Sequence, residues 1–205
     1  RFSWKTTVNL SIPRNKLVSY PNLEGSSYAN FYIVGQPLAI SRLYQSTGVD
    51  PQTGLYRVSD IDSNGSYTID DKIETVFRGP KVFGGLENTF TVGSFEFSFS
   101  FQFVKKSGWN YLTNGFAQPG SMSNQPVDVL DRWRKPGDAS EIQRYTTTNA
   151  LVFYNITQSD LSVTDASFIR LKNVSLQYHL PHSLLNRMSI QDARLFVLGQ
   201  NLLTI

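Results

Sequence analysis

No stretch of this sequence limits the fold as tightly as Ser94 to Phe103, which reads S-F-E-F-S-F-S-F-Q-F. Phe95, Phe97, Phe99, Phe101 and Phe103 share one parity, and Ser94, Glu96, Ser98, Ser100 and Gln102 share the other. Side chains of a strand alternate with period two, so the stretch predicts a strand with one wholly apolar face and one wholly polar face. Ten residues rise about 34 Å, and at a tilt of about 45° they cover roughly the height of an outer-membrane apolar band. Two readings follow. In a soluble sheet the Phe face packs on a core. In a membrane barrel the rings face lipid and the Ser, Glu and Gln side chains face a wet interior.

Composition narrows the choice. Only 17% of the 205 residues are charged, while 13% are aromatic, with 14 Phe and 10 Tyr. The net charge of +3 is too small and too scattered to point to nucleic acid. There is no cysteine, so neither a disulfide framework nor a thiolate metal site is available. No apolar run approaches the ~18 residues of a membrane helix. The chain opens on Arg1-Phe2-Ser3-Trp4 and closes on Leu203-Thr204-Ile205 within an apolar run. Both ends read as cut, which predicts a fragment, and a missing export signal then carries no information about location.

From the start, Phe2 to Ile12 alternates as cleanly as the Phe stretch, with Trp4 near one end where an aromatic girdle would sit. Pro13 stops it. Phe31 to Tyr44 predicts a poorer strand, interrupted by Gly35 and Pro37. Lys81 to Val92 predicts a strand that Gly93 turns tightly into the Phe stretch, making a hairpin. Ser167 to Leu180 predicts another, in which Arg170 and Lys172 share parity with the apolar set. Either a bulge shifts the register there, or the two cations stand beyond the lipid in water; the expectation here is the second. Pro181 to Gln191 is a link with some helical character (S-L-L-N-R-M), and Asp192 to Thr204 predicts a last strand, apolar on both faces. Trp109 and Tyr111 are expected as girdle residues at the top of the Phe strand.

The strands are joined unevenly. Gln45 to Pro80 and Lys105 to Thr164 are long, while the links at Pro13 to Asn30, Gly93 and Pro181 to Gln191 are shorter. Short turns on one side and long loops on the other are the signature of an outer-membrane barrel. The expected fold is therefore all-β: an antiparallel up-and-down meander of about six strands, an open portion of a transmembrane β-barrel with long extracellular loops.

Within the first long loop, D-I-D-S-N-G-S-Y-T-I-D-D resembles a calcium loop. Asp60, Asp62 and Asn64 stand at alternate positions, Gly65 takes the sharp turn, Ser66 follows, and Asp71 stands where EF-hands place a bidentate Glu. Hard oxygen ligands at that spacing suit Ca²⁺ as a structural ion. Asp71 is shorter than Glu and no apolar helix flanks the loop, so a turn whose Asp and Asn cap their own backbone is the other account. No other cofactor is expected.

Catalysis has little support. His179 and His182 are separated by Leu180 and Pro181, which forbid the helix of an H-E-x-x-H site. No G-x-S-x-G or P-loop occurs. Asp128, Asp131 and Glu141 are carboxylates with nothing in the sequence to set two of them at a glycosidase separation. Among loop residues, Arg132, Trp133 and Arg134 are the candidates for substrate or partner contact, since Trp stacks on sugar faces and Arg pairs with carboxylates. The competing account, which we favour, is that Trp133 packs under Pro136-Gly137 and orders the loop.

The ordered set of motifs is similar to a known family. A-S-F-I-R-L-K-N-V-S-L-Q-Y-H-L-P from Ala166, followed by A-R-L-F-V-L-G-Q-N-L-L-T-I from Ala193, resembles the C-terminal part of SusC/RagA-type TonB-linked outer-membrane receptors. W-K-T-T-V-N-L-S at Trp4, V-G-Q-P-L at Val34, T-G-L-Y at Thr53, D-S-N-G at Asp62, G-P-K-V-F-G-G-L-E-N-T-F at Gly79 and R-W-R-K-P-G-D at Arg132 agree in order. The resemblance covers nearly the whole chain. It implies a portion of a barrel of about 22 strands, with the N-terminal plug and the closing strand outside this sequence. Gly65-Ser66 stands where the family often has Gly-Asp. The implied function is import of glycan oligomers or peptides across the outer membrane of a Gram-negative bacterium. The implied partners are a SusD-like surface lipoprotein, TonB acting through the plug, and outer-membrane lipid against Phe95, Phe97, Phe99, Phe101 and Phe103. A soluble β-sandwich carbohydrate-binding module with a calcium loop is the alternative from the residues alone.

Overall fold

The computed structural model describes residues 2–113, 117–187 and 189–205; the Met of the S-L-L-N-R-M link lies outside them. In chain order the strands are β1 (Phe2–Ser11), β2 (Ile40–Leu43), β3 (Ser46–Val49), β4 (Tyr56–Val58), β5 (Glu74–Phe77), β6 (Val82–Val92), β7 (Phe95–Lys105), β8 (Ser107–Trp109), β9 (Val163–Asp165), β10 (Phe168–His179) and β11 (Arg194–Thr204). Two short helices join them, α1 (Ala150–Thr157) between β8 and β9 and α2 (His182–Arg187) between β10 and β11. The chain divides into two compact units. The first comprises Arg1–Pro13, Pro80–Lys106 and Ser167–Ile205, the second Arg14–Gly79 and Ser107–Ala166.

The first unit is one antiparallel sheet in the order β1-β6-β7-β10-β11. Each strand pairs with its neighbour in the unit's own sequence order, which is an up-and-down meander. The register carries the period-two pattern across every strand. Trp4 lies opposite Phe90, Phe90 opposite Phe97, and Phe97 opposite Leu176, which faces Val197. One face therefore gathers Phe2, Trp4, Val8 and Leu10 with Phe90, Val92, the five Phe of β7, and Val174, Leu176 and Tyr178. The aromatic side chains meet within this layer: Trp4 stacks on Phe90 with ring centroids 5.7 Å apart, while Phe97 and Phe99 at 5.8 Å and Phe95 and Tyr178 at 4.6 Å meet tilted. No second sheet covers them among the described residues of this unit, and Phe95 and Phe97 remain 52% and 39% exposed. The opposite face holds Ser3, Lys5, Thr7 and Asn9 with Thr89, Glu87, Glu96, Ser98, Ser100, Gln102, Asn173 and Gln177.

Two positions show what the apolar face demands. Gly84 lies opposite Leu10 and Phe103, and a Cβ there would stand 2.2 Å from the Asn9 carbonyl and 2.7 Å from the Phe103 ring. Only a hydrogen side chain lets the ring lie across the strand. Asn88 is the polar intruder on this face and is nearly buried. Its Oδ1 accepts from Trp4 Nε1 at 2.9 Å and from Thr6 Oγ1 at 2.7 Å, so three polar groups satisfy one another.

Both short connections lie at one end of this sheet. The β6–β7 turn uses Gly93 at φ +59, the left-handed residue such a hairpin turn needs. The β10–β11 link holds α2. The two long excursions, between β1 and β6 and between β7 and β10, both leave from the other end, and they supply the second unit. The second unit is built on three two-stranded pairs, β2–β5, β3–β4 and β8–β9. Its core is Tyr44, Tyr56, Val58 and Ile156, with Val49, Val152 and Phe153 packed against it. A parallel bridge from Tyr44 to Ser159 ties the first excursion to the second.

Two expectations are corrected. Phe31 to Tyr44 is not a strand of the main sheet; only Ile40–Leu43 is extended, and it pairs with β5. Gly35 at φ +92 and the turns before it break the run. Arg170 and Lys172 are explained by the bulge: the register shifts between Leu171 and Asn173, so Arg170 faces Gln102 on the polar side. Trp109 and Tyr111 follow the Phe strand in the chain: β7 ends at Lys105, and both residues belong to the second unit.

Candidate functional site

The loop from Asp60 to Asp71 brings its acids together. Ligand oxygens of Asp60, Asp62 and Asp71 lie within 4.8 Å of one another. Gly65 at φ +78 and Ser63 at φ +57 curl the chain back on itself. Gly65 N donates to Asp60 Oδ2 at 2.9 Å, Asn64 N to Asp62 Oδ1 at 3.1 Å, and Ser66 N to Asn64 Oδ1 at 2.7 Å. Asp71 is fully buried at the end of a 3-10 turn, where its two oxygens accept from Ile61 N and Thr68 N, each at 2.8 Å. The Thr68 and Ile61 N–H groups hold its carboxyl below the usual carboxylate range. Asp60 Oδ1 is shielded from solvent and has no hydrogen-bond partner. Of the predicted ligand set, the three carboxylates converge; Asn64 and Ser66 are exposed and engaged in the turn.

Arg132, Trp133 and Arg134 part company. Trp133 is 6% exposed. Its Nε1 donates to Pro51 O at 3.1 Å, and its ring lies on Gly54, where a Cβ would approach to 2.3 Å. The Trp orders the loop, as the packing account holds, but against the T-G-L-Y segment, and it has no face to offer a ligand. Arg132 places its guanidinium 3.6 Å from the Tyr145 ring centroid, and exposed Arg134 donates to Leu130 O at 2.8 Å.

Two cavities open in the second unit. The smaller, about 390 Å³, is lined by Asp128, Asp131 and Glu141 with Tyr56 and Tyr111, which brings together the three carboxylates that the sequence left scattered. Burial raises the Tyr111 phenol, with Asp128 and Glu141 adding to the effect. The larger, about 980 Å³, is lined by Arg42, Lys72 and Arg78 and by Tyr44, Tyr67, Trp109 and Tyr154. No sequence signal marks these residues, since they come from separate segments of both excursions.

No family model matches the chain. TonB-dependent receptor P3 and TonB-dependent receptor P26 of Formosa agariphila are 26% and 25% identical to it, over 99% and 98% of its length. The chain is similar, along nearly its whole length, to proteins named as TonB-dependent receptors. It spans 22% of the length of each of these two. Among solved structures, the RagAB peptide importer in its open-open state matches all of this chain and 23% of that one, with a TM-score of 0.73 at 19% identity. A second RagAB peptide transporter structure gives 0.72 at 19% identity over 24% of that chain. These neighbours establish the fold. The five-stranded meander has the fold of part of a larger barrel, and within its own unit no second sheet packs on its apolar face among the described residues, as a soluble sandwich would require.

Proposed function

We propose that this chain forms barrel wall and extracellular loops of an outer-membrane active transporter. The transporter imports glycan oligomers or peptides, is energised by TonB through a plug region, and works with a SusD-like surface lipoprotein. The observation that carries the proposal is the five-stranded sheet with one continuous apolar face, short turns at one end and both long excursions at the other. That arrangement is what a lipid-facing barrel wall requires. Relatives named as TonB-dependent receptors and neighbours named as peptide importers support transport over catalysis. Phe95, Phe97, Phe99, Phe101 and Phe103 are the lipid contacts in this proposal. Arg132 and Arg134 remain candidates for partner contact.

Deleting the full-length gene should abolish growth on one class of oligomer, and collapsing TonB coupling should abolish uptake of the same oligomer. Uptake that persists without TonB would overturn the proposal. We also propose that Asp60, Asp62 and Asp71 hold a structural Ca²⁺, supported by their convergence and by the unpartnered Asp60 Oδ1. Terbium luminescence sensitised by Tyr67 should report the ion and should vanish in Asp60→Asn. Emission unchanged by that substitution would dismiss the site.

A further inference from the structure

The 980 Å³ cavity of the second unit combines an unusual set of walls. Three cations line it, Arg42, Lys72 and Arg78, and no Asp or Glu does so among the described residues. The polar partners of these cations are neutral. Arg42 donates to Ile69 O at 3.1 Å, Arg78 Nε to Ser41 Oγ at 2.7 Å, and Lys72 Nζ to Gln158 Oε1 at 2.6 Å. Asp71 adjoins Lys72 in sequence, but its oxygens are taken by the Ile61 and Thr68 N–H groups. Two cations rest on aromatic faces, Lys72 at 4.8 Å from the Tyr44 ring and Arg78 at 5.1 Å from that of Trp109. Such contacts hold a cation in place without neutralising it. Burial and the nearby Arg42 charge lower the Lys72 pKa, the cost of gathering like charges around one space.

We propose that this cavity binds an anionic sugar unit of the cargo, with the carboxylate or sulfate of the sugar between the Arg42, Lys72 and Arg78 side chains. The inference rests on the transport reading and names its substrate class. Guanidinium groups pair with planar or tetrahedral oxyanions through parallel N–H donors. The rest of the lining favours a sugar over an acidic peptide. Ser41, Thr68, Asn155 and Thr157 offer neutral hydroxyls and amides that can both donate and accept, matching ring hydroxyls, while Tyr67 and Tyr154 are exposed rings for stacking. No carboxylate lines the cavity to receive an amino terminus.

The test uses the full-length receptor in detergent micelles and calorimetric titration with four probes. These are tetragalacturonate, a sulfated galactan tetrasaccharide, neutral maltotetraose and tetraglutamate. At least one acidic sugar should bind, with affinity falling as NaCl rises. Arg78→Gln and Lys72→Met should each weaken it about tenfold, the size of one lost charged hydrogen bond. Lys72→Met keeps the aromatic contact apolar, and heat-modifiable electrophoresis confirms that each variant is folded. Failure of both acidic sugars to bind, equal binding of maltotetraose, tighter binding of tetraglutamate, or folded variants with unchanged affinity would each overturn the proposal. TonB-dependent uptake of a neutral glycan alongside any of these results would leave the transport reading standing and remove only the anion site.

Discussion

Asn88 shows how a polar side chain survives on an apolar sheet face. Its one oxygen takes both the Trp4 indole N–H and the Thr6 hydroxyl, so neither of those two donors faces the apolar surroundings unpaired. Asn88→Leu should destabilise the full-length protein by about 1–3 kcal/mol, because two donors lose their acceptor. Adding Trp4→Phe and Thr6→Val should restore most of that loss, since removing both sides of a hydrogen bond is nearly neutral. Urea unfolding in micelles distinguishes the variants, and an unaltered midpoint for Asn88→Leu would remove the trio from the stability account. Asp71 carries a pH dependence of known sign. Its folded pKa lies below the ordinary 3.8, held there first by the Thr68 N–H and then by the Ile61 N–H. A depressed carboxyl contributes stability above its unfolded pKa and loses it as pH falls through the folded value. A fluorophore on Asn64→Cys, clean because the chain has no cysteine, should report an unchanged loop from neutral pH down to about 4 and a loosening below that. Asp71→Asn should give a loop already loose at neutral pH and insensitive to acid.

At the scale of elements, the strands of the main sheet were legible because period-two alternation is local. Phe2 to Ile12 and Ser94 to Phe103 state which side chains share a face without knowing what lies against that face. Where alternation failed, parity alone could not decide. The cations at Arg170 and Lys172 were compatible with a bulge or with a strand leaving the apolar layer, and only the register against Phe101 and Ser100 identifies the bulge. Phe31 to Tyr44 misled for the opposite reason: apolar residues between turns imitate a strand when the turns at Gly35 and Pro37 are treated as interruptions. The large cavity was not legible at all, because Arg42, Lys72, Arg78 and Trp109 share no period and meet only through separate strand pairs. The converging carboxylates were legible, because all of them lie within one loop. The dependence of β7 on phase can be tested by inserting one alanine between Ser98 and Phe99. This turns either Phe95 and Phe97 or Phe99, Phe101 and Phe103 to the polar face, at about 1.5–3 kcal/mol per ring. The folded, heat-modifiable form of the full-length protein should be lost, whereas Ser98→Ala should leave it intact.

For the whole molecule, the ends of the main sheet make a topological statement. Phe2, Val92, Phe95 and Tyr178 mark one end, where the chain turns at Gly93 and through α2. Ser11, Phe83, Val104 and Phe168 mark the other, where both long excursions depart. An antiparallel meander embedded in a bilayer has to place those two ends in different compartments, because its strands cross the apolar layer one after another. The long excursions of outer-membrane barrels lie outside the cell and the short turns in the periplasm. Single cysteines introduced into the full-length protein can test this in intact cells, again without background from the 205 residues, which contain none. Asn64→Cys lies in the first excursion, Ser140→Cys in the second, and Ser94→Cys in the β6–β7 turn. A membrane-impermeant maleimide should label Cys at position 64 in whole cells. It should label position 94 only after the outer membrane is permeabilised. Position 140 is half-buried and hydrogen-bonded to Asp131 O and Ile142 O, so it should react more slowly than position 64 but from the same side. Labelling of position 94 from outside at the rate of position 64 would mean that the sheet does not cross a membrane. The apolar face would then need a protein partner in place of lipid.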